Sequence, residues 1–110
     1  MSVQHINDKK QVAEILNSGK VSVIDFSAEW CGPCKALGPR FEKVANDKTN
    51  SNINFIKVDV DHAKALAEQY EIASIPTLIY FDKHGNVVNR VSGLVNEQQI
   101  TSNIEEAKGK

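Results

Sequence analysis

The two cysteines of the chain, Cys31 and Cys34, are three residues apart at the start of a predicted helix. This spacing places both side chains on one helical face, where their sulfurs can meet. Pro33 has a backbone torsion suited to a first helical turn, and Gly32 lets the chain turn tightly before it. Unpaired N–H groups at a helix start favour an anion, so the Cys31 thiol should ionise readily and act as a nucleophile. Cys34, one turn further on, is expected to be the less accessible partner.

Two other uses of a cysteine pair stay open at this point. The pair could form half of a structural zinc site, which would need two further Cys or His ligands. The three histidines, His5, His62 and His84, are widely separated and lack the spacing of a zinc finger, so we expect no metal site. The pair could also be an inert structural disulfide. A single C-x-x-C beside a βαβ pattern favours a redox dithiol over both.

A buried strand is predicted immediately before the cysteines. Residues 21–27 form an apolar, β-branched run with one charge, Asp25, and helical patterns flank it on both sides. Such a run is typical of a central strand covered on both faces. Asp25 shares a face with Val21 and Val23, so its carboxyl should be buried and its pKa raised. The alternative is a strand-end aspartate held by a salt bridge or by solvent.

The remaining patterns predict an α/β fold. Strands are expected at 3–6, 53–58, 77–81 and 87–92, with a polar loop at 49–52 and a hairpin turn at 82–86. Helical spacing predicts one helix capped by Asn7 or Asp8 and ending at Gly19, and another running from the cysteines to about Lys48 with a kink at Pro39. Two further helices are expected, around 63–70 and after Asn96. The order βαβαβα then ββα implies a sheet with helices on both faces.

Composition is that of one ordinary globular domain, spanning residues 1–110. The chain is 41% hydrophobic and 25% charged, with a net charge of −1. The charge balance and the lack of a basic cluster argue against nucleic acid or an anionic membrane as a partner. No apolar run approaches transmembrane length, and no targeting signal is recognisable. The cytoplasm is therefore the expected compartment, or an organelle if a presequence has been removed.

These residues resemble the thioredoxin family. The run Trp30-Cys31-Gly32-Pro33-Cys34 matches that family's active-site motif in full, and the preceding Val-Ile-Asp-Phe matches its central strand. The resemblance extends over essentially all 110 residues. It implies a mixed sheet in the order β1-β3-β2-β4-β5, in which the first three strands are parallel. Ser27 departs from many bacterial members, which carry a second tryptophan there, so packing and fluorescence should differ while the chemistry stays the same.

The resemblance also implies roles for two charged residues. Asp25 would be the buried acid behind the dithiol, exchanging the Cys34 proton through water. Lys57, on the next strand, would be the basic residue that interacts with Asp25. From the sequence alone, Lys57 could equally be an exposed strand charge.

A substrate-binding groove is implied in the same way. Ile75-Pro76-Thr77 matches the family's cis-proline loop, where the backbone at Ile75 pairs with an extended substrate segment. Without the resemblance, a trans proline at a strand start is the expectation. Gly93 matches a glycine beside the groove, although it could simply end a strand. Trp30 is interpreted as a contact surface next to Cys31, with ordinary packing as the alternative, and Gly85 as a turn glycine only.

The function implied by the resemblance is general protein-disulfide reduction. Disulfide-containing proteins would be the substrates, and a separate thioredoxin reductase containing flavin would supply electrons from NADPH. No bound cofactor is needed for exchange through a mixed disulfide, and a monomer is expected. Protein disulfide isomerases are disfavoured because the two residues between their cysteines are typically Gly-His. Glutaredoxins are disfavoured because theirs are typically Pro-Tyr, whereas this chain has Gly-Pro. A disulfide oxidase or isomerase, and a non-catalytic thioredoxin-fold binding subunit, stay as alternatives.

Overall fold

The elements follow one another along the chain in the order that the sequence predicts. The computed structural model describes residues 3–110. Five strands are present: β1 (Val3–His5), β2 (Ser22–Ser27), β3 (Asn54–Asp59), β4 (Thr77–Phe81) and β5 (Val87–Ser92). Four α-helices accompany them: α1 (Lys9–Leu16), α2 (Gly32–Asn46), α3 (Lys64–Gln69) and α4 (Glu97–Lys108).

The five strands form one mixed sheet in the order β1-β3-β2-β4-β5, as the resemblance implied. β3 runs parallel to both β1 and β2, whereas β4 is antiparallel to β2 and to β5. All residues of β2 and of β4 are buried. β2 therefore lies in the middle of the sheet, with its carboxyl end leading directly into the cysteine turn.

Helices cover both faces of the sheet. Alternate residues of a strand point to opposite faces, which divides the core into two layers. One layer joins the sheet to α2 and α4, and it contains Val23, Leu37, Phe41, Phe55, Leu78, Tyr80, Ile100 and Ile104. The other joins the sheet to α1 and α3, and it contains Val12, Leu16, Ile24, Phe26, Ile56, Leu66, Ile79 and Phe81. Among residues 3–110, no helix has both the length and the apolar character required to cross a bilayer.

Several helix and strand ends differ from the sequence-based expectation by one to three residues. α1 ends at Leu16 with Asn17 as its C-cap, whereas the sequence pattern placed the end at Gly19. Gly19 instead adopts a φ of +85° in the turn to β2, a conformation that glycine reaches without strain. Asp8 caps α1 by accepting a 3.0 Å hydrogen bond from the Lys10 N–H. α2 continues through Pro39 and ends at Asn46.

Part of the segment 49–52, which the sequence predicts to be a polar loop, forms a helical turn and has a buried side chain. A 3-10 turn, Lys48–Asn50, follows α2, and the side chain of Asn50 is buried. Its amide Nδ2 donates a 2.9 Å hydrogen bond to the Val44 carbonyl in the last turn of α2. The Val44 carbonyl also accepts a 3.2 Å hydrogen bond from the N–H of Asp47, the C-cap of α2, so the Asn50 amide is a second donor at this helix end.

The hairpin turn between β4 and β5 fits closely against the end of α1. Asp82 accepts hydrogen bonds from the His84 and Asn86 N–H groups, at 2.8 and 3.0 Å. Gly85 has a φ of +84°, and a Cβ placed there would lie 3.1 Å from the Leu16 carbonyl oxygen. Gly85 therefore does more than allow the turn, because a side chain there would press against the backbone at the end of α1.

Candidate active site

The two cysteines lie where β2 passes into α2, and they are joined as a disulfide. Cys31 is the N-cap of α2, and its Sγ is 3.2 Å from the Cys34 N–H that points at it. Pro33 occupies the first turn of the helix, where its missing N–H leaves no hydrogen bond unmade. Cys31 and Cys34 are 4% and 3% exposed, so in this oxidised form they differ little in accessibility.

The loop before β4 faces the disulfide. The Ile75–Pro76 peptide bond is cis, which the family resemblance implied and which sequence statistics alone would not have predicted. The Ile75 carbonyl oxygen lies 3.9 Å from the Cys31 Sγ. Gly93, with a φ of +96°, donates a 2.8 Å hydrogen bond from its N–H to the Pro76 carbonyl. A backbone surface formed by this loop and Gly93 therefore borders the Cys31 sulfur.

Asp25 is 1% exposed and lies on the sheet face that is covered by α2 and α4. Burial raises the pKa of its carboxyl to about 7, and the nearby Lys57 ammonium acts in the opposite direction. Neither carboxyl oxygen has a hydrogen-bond partner within residues 3–110. A carboxyl in this setting is neutral at mildly acidic pH and can take up or release a proton near neutrality.

Lys57 is half-buried and lies opposite Asp25 in the register of the parallel strands β2 and β3. It is not close enough to Asp25 to form a salt bridge. Lys57 also lines a cavity of about 360 Å³ that reaches Cys34, together with Ala28, Glu29 and Lys35. Lys57 thus connects the buried acid with the space beside the second cysteine.

Trp30 forms an exposed surface next to the disulfide. Its side chain is 70% exposed, and its indole Nε1 donates a 2.8 Å hydrogen bond to Asp61 Oδ2. Asp61 lies 31 residues further along the chain, and nothing in the local sequence indicates this pairing. Sequence reasoning also missed Ala28, Glu29 and Lys35 as lining residues beside Cys34, because no motif distinguishes them.

Position within the sheet explains why these residues converge. Asp25 and the cysteine turn come from β2, Lys57 from the parallel neighbour β3, and the cis-proline loop from the start of the antiparallel neighbour β4. The carboxyl ends of parallel strands, and the start of a strand antiparallel to them, meet at one edge of a sheet. A larger cavity, of about 520 Å³ between Lys43 and Glu97, contains neither cysteine and plays no part in this site.

The arrangement provides all that thiol–disulfide exchange requires. The reaction passes two electrons through a mixed disulfide and needs no metal and no bound organic cofactor. The disulfide at the helix start lies beside the exposed indole of Trp30 and the backbone of the cis-proline loop, and another protein can approach the sulfurs across these two surfaces.

Comparisons with known proteins agree with this geometry. A family model described as thioredoxin matches residues 2–106. Thioredoxin from Mycoplasmoides gallisepticum is 43% identical over 98 residues, which cover 89% of this chain and 95% of that protein. The crystal structure of Malassezia sympodialis thioredoxin has a TM-score of 0.87 and 37% identity, covering 96% of this chain and 90% of the other.

Oxidised thioredoxin from Plasmodium falciparum gives a similar result. Its solution structure has a TM-score of 0.82 and 34% identity, covering 96% of this chain and 97% of that one. The match extends over the cysteine motif as well as the sheet and helices, and thioredoxins are protein-disulfide oxidoreductases that use a redox-active disulfide. The chain therefore belongs to the thioredoxin family and is a thiol–disulfide reductase.

Proposed function

We propose that Cys31 is the nucleophile and Cys34 the resolving thiol in the reduction of disulfides in partner proteins. The Cys31 thiolate attacks one sulfur of the substrate disulfide, forming a mixed disulfide and releasing one substrate thiolate. The Cys34 thiolate then attacks the Cys31 Sγ, closing the Cys31–Cys34 disulfide and releasing the second substrate thiolate. Two electrons pass from the dithiol to the substrate, and its two thiolates take up protons.

The position of Cys31 carries this proposal. Its sulfur caps α2, where the helix dipole stabilises a thiolate, and it faces the Ile75 carbonyl across 3.9 Å. An extended substrate segment would pair with the backbone at Ile75, beside Pro76 and Gly93, while Trp30 contacts the rest of the partner. Gly32 and Pro33 support this geometry by shaping the first turn of the helix.

Asp25 is proposed to accept the proton of Cys34 before the second step. Its raised pKa, about 7, matches a group that exchanges protons near neutral pH. The cavity beside Cys34 is lined by Lys57, the residue opposite Asp25, so solvent can come close to both the thiol and the buried carboxyl. Lys57 would keep the pKa of Asp25 from rising further, so that the carboxyl can lose its proton again after each cycle.

The direct test is to trap the mixed disulfide. A Cys34→Ser variant, reduced and mixed with a reporter protein that has one exposed disulfide, should form a covalent complex that a reductant dissolves. The matched Cys31→Ser variant should form none. If Cys34→Ser forms no complex while thiol labelling shows that Cys31 is reduced, Cys31 is not the nucleophile.

The direction of electron flow is tested by the reduction potential of the pair in a glutathione buffer. The benchmark for thioredoxin itself is about −270 mV, against about −180 mV for protein disulfide isomerase and about −120 mV for DsbA. A reductase requires a value near the first. A value near either of the others would favour the oxidase or isomerase alternative for this chain.

The cellular setting is also proposed. We expect residues 1–110 to form a single domain that acts as a monomer in the cytoplasm, where thiols are kept reduced. A separate flavin-containing thioredoxin reductase would return electrons from NADPH to the disulfide. Neither a nucleic acid nor a membrane is expected as a partner, since the net charge is only −1. An organelle is the alternative compartment, and cell fractionation decides between the two.

A non-catalytic binding subunit is the alternative from a different class. It predicts that a Cys31→Ser, Cys34→Ser double variant still supports the cellular role. Loss of that role in the double variant, at unchanged protein level, would exclude the alternative.

A further inference from the structure

A second cluster of polar side chains lies at the carboxyl ends of the parallel strands. Ser27 and Asp59 are opposite each other at the ends of β2 and β3, and His5 ends β1 opposite Lys57. A cavity of about 350 Å³ opens there, and it is lined by these four residues together with Glu29 and His62. The carboxyl edge of parallel strands is a common place for ligands in α/β proteins. The sequence separates His5 from His62, and the fold brings both to one cavity.

Three of these side chains are close enough to share one ion. Single ligand atoms of Glu29, Asp59 and His62 all lie within 4.8 Å of one another. The His62 Nε2 is 3.9 Å from Asp59 Oδ2. Ligand atoms around a tetrahedral zinc ion, with bonds of about 2.0–2.2 Å, are roughly 3.3–3.5 Å apart. The widest separation among the three ligand atoms therefore needs to shorten by up to about 1.5 Å. The exposed side chains of Glu29 and His62 can supply this movement by rotation.

Asp59 is held in place for this role. Its Oδ1 accepts a 2.9 Å hydrogen bond from the Asp61 N–H, which fixes the carboxylate while Oδ2 faces His62. A hydrogen bond to the second atom of a ligating group orients the first, and such partners strengthen metal binding by about 10–100-fold. The cluster thus has one fixed ligand and two adjustable ones.

We propose that Glu29, Asp59 and His62 bind a divalent transition-metal ion, with Zn²⁺ the best fit, at a site that uses neither cysteine as a ligand. One imidazole nitrogen and two carboxylate oxygens suit zinc, whereas magnesium and calcium prefer oxygen ligands only. His5, which lines the same cavity, is a candidate for a fourth ligand. The Lys57 ammonium lines the cavity too and opposes a cation, so this is a site of modest affinity.

The site has a built-in spectroscopic reporter. Asp61, which donates to Asp59, also accepts the hydrogen bond from the Trp30 indole at 2.8 Å. Trp30 is the single tryptophan of the chain, and Glu29 directly precedes it. A metal ion bound by Glu29 and Asp59 should therefore change the fluorescence of Trp30.

The test is calorimetric titration of the oxidised, untagged full-length protein with zinc chloride. The oxidised form is essential, because its disulfide removes the two thiolates that would otherwise bind zinc themselves. We expect one equivalent to bind and Trp30 fluorescence to saturate at the same ratio. His62→Gln and Glu29→Gln should each weaken binding by 10-fold or more. Both side chains are exposed, so the fold should be retained.

His84→Gln is the matched control, since His84 lies in the β4–β5 turn, away from the cluster, and it should bind zinc as wild type does. The proposal is overturned if the oxidised wild type binds no zinc or if His62→Gln binds it equally well. Displacement of zinc by an equal concentration of magnesium chloride would also overturn it, because the imidazole would then contribute nothing. None of these outcomes depends on the roles proposed for Cys31, Cys34 and Asp25.

Discussion

Asp25 and Lys57 lie opposite each other in the register of two parallel strands, yet only the lysine reaches a cavity shared with Cys34. The carboxyl is enclosed and has no hydrogen-bond partner within residues 3–110. The ammonium is half-buried. The Lys57 ammonium, near the surface, thus lowers the pKa of a carboxyl in the interior. The protonation of Asp25 should therefore affect both the free energy of unfolding and the rate of disulfide exchange.

The stability of the oxidised protein should fall as the pH rises through neutrality. The pKa of Asp25 rises from 3.8 to about 7 on folding, so the native state holds a proton that the unfolded state has lost. Between pH 5 and pH 8 this lowers the free energy of unfolding by about 3 kcal/mol, and the loss is complete above the folded pKa. Urea unfolding of the wild type and of Asp25→Asn at pH 5 and pH 8 measures this change. The free energy of unfolding should decline between the two pH values in the wild type and not in the variant. Glu14→Gln, on the exposed face of α1, is the control and should behave as wild type.

Asp25→Asn should slow the second step of exchange. If the carboxyl accepts the Cys34 proton, its loss lowers the rate of resolution by roughly 100-fold near pH 7. Stopped-flow measurement with a preformed mixed disulfide isolates that step. Attack by Cys31 should change much less, since its thiolate is stabilised by the start of α2. Equal slowing of both steps would indicate a general change in the site and would contradict a specific proton-transfer role.

The two turn glycines offer a matched pair. Gly19 and Gly85 have φ values of +85° and +84°, but only at Gly85 would a Cβ meet another part of the chain, 3.1 Å from the Leu16 carbonyl oxygen. Gly19→Ala should cost about 1 kcal/mol through the left-handed backbone alone. Gly85→Ala should cost more, because the turn must also move away from α1. Thermal unfolding of both variants gives the difference, and equal losses would mean that the contact is easily relieved.

The buried amide of Asn50 should contribute measurably to stability. Asn50→Ala removes the 2.9 Å hydrogen bond to the Val44 carbonyl, which keeps only the 3.2 Å hydrogen bond from the Asp47 N–H. The expected loss is about 1 kcal/mol in the free energy of unfolding. Asn52→Ala, at an exposed position two residues on, is the control and should change stability by less than about 0.5 kcal/mol. A loss for Asn50→Ala no larger than for Asn52→Ala would show that solvent replaces the amide.

The parts of the site that sequence reasoning reached are those encoded locally. The spacing of Cys31 and Cys34, the Pro33 behind them and the apolar strand before them each follow from a few neighbouring residues. Strand alternation was also enough to place Asp25 in a buried layer, where the structure has it. The strand order and the cis peptide at Pro76 came from the family resemblance, because short-range preferences do not determine either.

What the sequence did not indicate depends on contacts between distant segments. The bond from Trp30 to Asp61, the amide of Asn50 beneath α2 and the meeting of His5 with His62 all arise only when the sheet assembles. Polar residues such as Asn50 and His62 read as loop or surface positions, because their partners lie in other elements. Their roles follow from tertiary packing, which overrides local preference.

The complete burial of β2 links the chemistry of this protein to its folding. Strand side chains alternate between faces, so one inserted or deleted residue between Ser22 and Ser27 would exchange every side chain of the strand. Asp25 would then enter the apolar layer beneath α1 and α3, and a phenylalanine or isoleucine would take its place behind the cysteines. Length changes in loops are accommodated at the surface, whereas here they would remove fold and activity together. The pleat of β2 therefore fixes the number of residues between Asp25 and Cys31.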